Sequence, residues 1–236
     1  MNRELDTAIA RFDGPAKVSG KAMYAGDQSQ PSQLYAAFVT SRIPCGRVET
    51  ISSASASAKP GVVRVLTAAD MPRVHPALQQ VSVPPLASRF VPMQENEIMH
   101  EGQPVAIVLA ETLEAAEEAA KLVQVRYSRS AFSVADTSPP AAVMPEKGNY
   151  SKAGPLAFAK GDTGAAYAAA AIQSTATYTQ PSRHANPMEP SAILAVWNAD
   201  KLTVYDSVQH LPAVQNALAA VFGLPSTNVR VVSPHT

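Results

Sequence analysis

One local pattern constrains the fold of this chain more than any other. Residues 104–127 read PVAIVLAETLEAAEEAAKLVQVRY. The run PVAIVLA (104–110) is apolar throughout, the signature of a strand buried on both faces. The run TLEAAEEAAKLV (112–123) is rich in Ala and Glu, both good helix formers, with Thr112 placed as an N-cap. The run VQVRY (123–127) returns to β-branched and aromatic residues. This is a strand–helix–strand unit, and its crossover is long enough to place the two strands parallel.

Other elements are arranged around that unit. Residues 11–33 are rich in Gly, Pro, Asp and Lys and read as an irregular arm. LYAAFVTS (34–41), RVETI (47–51) and VVRVLT (62–67) read as strands. A short Ser/Ala helix precedes the stop made by Pro60 and Gly61. AADM (68–71) reads as a helical turn before Pro72, and residues 72–103 form a long, Pro-punctuated connection. Beyond a Ser/Pro/Gly-rich stretch at 128–155, TGAAYAAAAI (163–172) is a helix and STATYTQ (174–180) a strand. SAILAVW (191–197) and KLTVYDS (201–207) flank the turn-rich triplet Asn198-Ala199-Asp200, which predicts a hairpin. PAVQNALAAVFG (212–223) is a helix between Pro212 and Gly223, and NVRVVS (228–233) is a last strand. Strands and helices mix without strict alternation and no fixed period recurs, so the expected class is α+β.

Composition excludes several functions. The 236 residues carry 19 Lys+Arg against 19 Asp+Glu, so the chain lacks the basic surface that drives phosphate-backbone binding, and nucleic acid is not an expected partner. No apolar run reaches the ~20 residues of a membrane span, and the N-terminus has no apolar signal-peptide core. The single cysteine, Cys45, excludes an internal disulfide and a Cys-ligated iron–sulfur cluster within this sequence. His75, His100, His184, His210 and His235 show no zinc-type spacing, and neither a dinucleotide fingerprint, a P-loop nor a hydrolase elbow is present.

The stretch RHANPMEPSAILAVW (183–197) is the place where chemistry concentrates. Arg183, His184 and Asn186 offer donors crowded against a strand. They face a bound anion or oxo group, or they satisfy a loop; the residues alone leave both readings standing. Glu189 beside an apolar strand is either a general base with a raised pKa or a carboxylate that accepts backbone N–H bonds and fixes the turn. Gly102-Gln103-Pro104 is a turn that starts a strand, with a Gln amide able to donate to a ligand.

Five ordered segments carry a resemblance. They are RFDGPAKVSGKAMYAGD (11–27), GRVETI with AKPGVVRVLTAADMP (46–51 and 58–72), HEGQPVAIVLAETLEAAEEAAKLVQVRY (100–127), NPMEPSAILAVWNADKLTVYDSVQ (186–209) and LPSTNVRVVSPHT (224–236). Together they resemble the molybdopterin-binding large subunit of the xanthine dehydrogenase/aldehyde oxidase family. The resemblance implies an α/β hammerhead domain over 11–130, a linker over 131–155, and the start of a molybdopterin-binding domain over 156–236. It implies hydroxylation of aldehydes or N-heterocycles, with water as the oxygen source. It implies a molybdopterin cofactor, in bacteria commonly the cytosine dinucleotide form, with [2Fe–2S] clusters and FAD on partner subunits. Arg183, His184 and Asn186 then become the cofactor-binding candidates, with no catalytic residue and no metal ligand assigned. Relatives often place Gln just before NPMEP, where this chain has Arg183-His184-Ala185.

The resemblance also sets expectations about organisation. In the family a glycine-rich loop follows the SPHT-like segment, and the catalytic glutamate lies later still. The expectation is therefore an N-terminal piece of the molybdenum subunit, inactive alone, whose partners are the remaining C-terminal part, an iron–sulfur subunit and an FAD subunit. A second expectation is a separately encoded assembly module of a split enzyme. The expected location is cytoplasmic, or periplasmic if a partner carries the export signal.

Overall fold

The computed structural model describes residues 11–74, 93–132, 160–178, 180, 185–187, 189–233 and 235. The chain divides into two compact units. The larger comprises Met1–Ser82, Ser88–Val134 and Glu189–Thr236, and the smaller Val83–Ala87 and Ala135–Met188.

Among the described residues, the larger unit holds three three-stranded sheets. The first contains β1 (Tyr35–Thr40), β5 (Pro104–Ala110) and β3 (Val62–Thr67), all antiparallel, with β5 in the centre. That position explains the apolar run: Val105, Ala106, Val108 and Ala110 are all buried. The second contains β4 (Glu97–Ile98), β2 (Gly46–Ser52) and β6 (Gln124–Arg129), also antiparallel. Val39, Ile43, Val48, Ile98, Val105, Val108 and Val123 form one apolar core with Ala56, Ala106 and Ala119.

Helix α3 (Leu113–Leu122) packs on β1 and β5 through Ala116 and Ala119, both fully buried. Small side chains on that face allow the helix to lie close to the sheet. Thr112 caps it as expected, its hydroxyl accepting from the Ala115 N–H at 3.1 Å, an interaction that contributes about 1 kcal/mol. Helix α2 (Ala54–Ser57) seats fully buried Ala56 in the same core.

Three expectations require correction here. Strands β5 and β6 do not form a parallel pair. Both edges of β5 are already taken by β1 and β3, so β6 pairs antiparallel with β2 in a different sheet. A parallel crossover does exist, but further on. In the third sheet β7 (Ile193–Asn198) and β8 (Lys201–Asp206) form the expected hairpin, with Asn198 paired to Lys201 and Ala199 at φ 53. Strand β9 (Val229–Val232) then returns parallel to β8 through α5 (Leu211–Phe222). Leu202, Val204, Ala219 and Val229 make the core of this β8–α5–β9 unit.

The arm at 11–33 is also more ordered than its composition predicts. It contains α1 (Gly14–Val18) and a 3₁₀ turn at Ala25–Asp27, where the N–H of Tyr24 donates to Asp27 at 2.9 Å. Residues 174–178 are not a strand; they are exposed and join no sheet among the described residues. Their β-branched residues are suited to a strand, but no ladder partner fixes them in one.

Helix α5 shows how its ends are specified. His210 is the N-cap, its Nδ1 accepting from the Ala213 N–H at 3.1 Å, which places the ring proton on Nε2. Gly223 closes the helix at φ 64, a left-handed conformation suited to glycine. Gln215 donates to the carbonyls of Ser226 (3.0 Å) and Val229 (2.7 Å), tying the helix to the strand that follows.

The smaller unit contributes α4 (Thr163–Ala169). Asp162 caps it, accepting from Ala165 N–H at 2.9 Å. Gln173 folds back to donate to the Tyr167 carbonyl at 2.9 Å. No helix among the described residues is long and apolar enough to cross a membrane.

Candidate cofactor site

The candidate residues come from the stretch before β7. Arg183 and His184 lie outside the described residues. Asn186 is described: it is exposed, with a backbone φ of 42. Asparagine tolerates the left-handed region better than most residues, so its place in Asn186-Pro187 has a backbone reason. The sequence pattern suggested only a side-chain role for it.

Glu189 opens the segment that enters β7, and it is half-buried. Ser207 Oγ donates a hydrogen bond to Glu189 Oε1. This ties the approach to β7 to the end of β8, where Asp206 is in register with Ile193. The carboxylate thus fixes the turn through a hydroxyl, where backbone N–H donors were expected. Burial pushes the Asp206 carboxyl upward from its ordinary value; the Ser207 N–H opposes this and the Glu189 charge adds to it. Two carboxylates and one hydroxyl therefore share a small region, with the Ser207 hydroxyl donating to Glu189 and its N–H to Asp206.

Gln103 is structural. It is buried, its Nε2 donates to the Glu97 carbonyl at 2.6 Å, and its Oε1 accepts from the Met99 N–H at 2.9 Å. Its amide is committed to the backbone of residues 97–99.

A second polar cluster is not evident from the sequence pattern. Asp13 is buried and accepts from Arg11 Nε, with Lys17 Nζ at 3.1 Å and His235 Nδ1 at 3.9 Å. The Tyr24 ring lies against His235, with centroids 5.5 Å apart. The i,i+4 spacing of Asp13 and Lys17 was the available signal. The hydrogen bond from Arg11 is the main cause that lowers the Asp13 carboxyl to about 2; burial opposes it and Lys17 assists. A depressed carboxylate stabilises the fold above its unfolded pKa and loses that contribution as pH falls through the folded value. Stability is therefore expected to drop between about pH 4 and about pH 2. Asp13→Asn should flatten the curve in that window, measured by urea unfolding at a series of pH values.

Residues 19–131 match the family described as aldehyde oxidase and xanthine dehydrogenase, a/b hammerhead domain. Residues 144–236 match the molybdopterin cofactor-binding domain. The chain belongs to the xanthine dehydrogenase/aldehyde oxidase family. The aldehyde oxidoreductase molybdenum-binding subunit PaoC of Escherichia coli is 34% identical over 233 residues, covering 95% of this chain and 29% of that protein. The carbon monoxide dehydrogenase large chain of Hydrogenophaga pseudoflava is 30% identical over 256 residues, covering 98% and 31%. A Cu,Mo-CO dehydrogenase structure superposes with a TM-score of 0.66 at 25% identity, covering 96% of this chain and 30% of that one. This family member thus spans less than a third of the length of these relatives. Arg183, His184 and Asn186 all fall within the cofactor-domain match.

Proposed function

We propose that the chain is the N-terminal part of a molybdenum hydroxylase large subunit. The observation that carries this reading is the order of the two family matches, hammerhead then cofactor domain, along 34% identity to an aldehyde oxidoreductase subunit. The substrate class is aldehydes or N-heterocycles. For an aldehyde, addition of water gives a carboxylic acid with release of two protons and two electrons. The bound molybdopterin, in its cytosine dinucleotide form, supplies the redox centre for that conversion. The electrons leave to [2Fe–2S] clusters and FAD on partner subunits. The division into a hammerhead domain (11–130), a linker (131–155) and a cofactor domain (156–236) belongs to the same reading, as does a cytoplasmic location, or a periplasmic one through a partner's export signal.

The donor set fits a group rich in phosphate and oxo oxygens. Arg183 supplies a fixed cation with forked donors, His184 a ring N–H and Asn186 an amide. Their part is to bind and orient the cofactor's anionic edge. Where relatives place a neutral Gln, Arg183 adds positive charge. The exposure of Asn186 leaves its amide open to such a group.

The chain alone is incomplete in this account, because it spans 29% of the length of the E. coli relative. Expressed alone, residues 1–236 should hold no stoichiometric molybdenum and should not reduce a dye with an aldehyde. Metal analysis and the dye assay check this together. Tight stoichiometric molybdenum with turnover would overturn it.

A further inference from the structure

Strand β1 is an edge strand without the usual protection. Its sequence, YAAFVT, holds neither a charged residue nor a proline, and among the described residues it pairs only with β5. Proteins commonly guard such edges with Lys, Pro or a covering element, because unpaired N–H and C=O groups recruit another strand. Edge strand β7 (ILAVWN) shares this lack of charge and proline, but of the two only β1 borders a cleft among the described residues, and the other long edges of the first two sheets are guarded. Strand β3 carries Arg64, and β6 carries Arg126 and Arg129.

Residues 36–40 of β1 border a cleft of about 690 Å³. One wall is a face of α3 that includes Leu113, Glu117 and Lys121; another is the start of β6 with Tyr127. Phe38 lines it while 60% exposed. Arg42 and Lys121 face the cleft against a single acid, Glu117, and none of the three forms an ion pair among the described residues. The cleft therefore combines three features: a strand edge left unpaired among the described residues over a length of about 16 Å, an exposed aromatic, and a surplus of positive charge.

We infer that this cleft receives an extended segment of a separate polypeptide, added to β1 as a fourth strand, with carboxylates directed at Arg42 and Lys121. Main-chain pairing supplies the affinity, and alternate side chains meeting Phe38 and the α3 wall supply the selectivity. The relatives named as large chains or large subunits are, by those names, parts of multi-chain assemblies, so a separate chain is the occupant argued for. This inference does not rest on the proposed reaction.

The test uses the full chain, isotopically labelled, and the capped peptide DVTVTVD as probe. The expected result is a set of amide shifts in 35–42, 113–121 and 124–127, with slowed hydrogen exchange in β1. A peptide of the same sequence methylated on alternate backbone nitrogens should not bind. The peptide KVTVTVK should bind about tenfold more weakly, since like charges then face the two cations. Because both controls alter the peptide, folding of the chain is not in question. Equal binding of the methylated and unmethylated peptides would overturn the inference, as would the absence of shifts at millimolar peptide. Protection of β1 that instead follows chain concentration, with a doubled mass, would assign the face to a second copy and overturn it too.

Discussion

Gly46→Ala is expected to destabilise the larger unit by about 3 kcal/mol or more. Gly46 sits at φ 148, a conformation that L side chains rarely adopt. A Cβ there would lie 2.1 Å from the Ser128 carbonyl oxygen, 2.9 Å from Ile43 Cδ1 and 3.1 Å from Arg129 Cα. Two of those atoms are backbone of β6, which pairs with Gly46 in the sheet, so no side chain can swing aside to relieve the clash. The first rungs of β2–β6 must open. Gly102→Ala is the informative control: its φ is also positive, at 82, but nothing lies within 4 Å. That variant should lose only about 1 kcal/mol, from conformation alone. Urea unfolding of the two variants separates steric from conformational cost. Equal losses would contradict the account.

Gln103→Leu is expected to cost about 3 kcal/mol. The Leu side chain keeps the bulk but leaves the Glu97 carbonyl and the Met99 N–H without their amide partner. Each of these part-buried backbone groups left unpaired costs about 1–3 kcal/mol, and two are lost together. The effect should be local as well as global, since Gln103 holds β4 against the start of β5 through its side chain and ties that start to the end of β1 through its backbone. Its own carbonyl accepts from the Ser41 N–H at 2.8 Å. Hydrogen exchange at the Met99 amide should accelerate before the rest of the unit opens. A loss of less than 1 kcal/mol, with Met99 protection unchanged, would show that water replaces the amide at little cost.

What the sequence made legible was local. The ends of α3 and α5 were marked by Thr112, Pro212 and Gly223, whose effects act within one turn of the chain. The β7–β8 hairpin was legible because its turn residues and its alternation act over a few positions. What failed was pairing at a distance. The run 104–127 shows a strand, a helix and a strand, but nothing in it says that β1 and β3 will occupy both edges of β5. The parallel crossover was therefore assigned to the wrong helix. Residues 174–178 failed for a related reason, since a strand needs a neighbour that its own residues do not name. His210 was missed as a cap because a ring nitrogen rarely takes that role, and the sequence gives no tautomer.

The candidate site was legible as a motif, with its geometry left to the fold. Asn186-Pro187 has a backbone reason in its positive φ, and Glu189 finds a hydroxyl partner 18 residues away, on Ser207. That hydroxyl is brought close by the hairpin register, which periodicity predicts only as a pairing of strands. The roles proposed for Arg183 and His184 rest on resemblance and donor chemistry, and the proposed function depends on them only for holding the cofactor.

The most direct test of the central claim is the source of the transferred oxygen. The assembled enzyme containing this chain, given an aldehyde in ¹⁸O-labelled water under ordinary oxygen gas, should yield a carboxylic acid whose newly introduced oxygen carries the label, read by mass spectrometry after correction for exchange of the aldehyde oxygen. An unlabelled new oxygen, taken instead from the gas, would contradict membership of this chain in a water-dependent molybdenum hydroxylase.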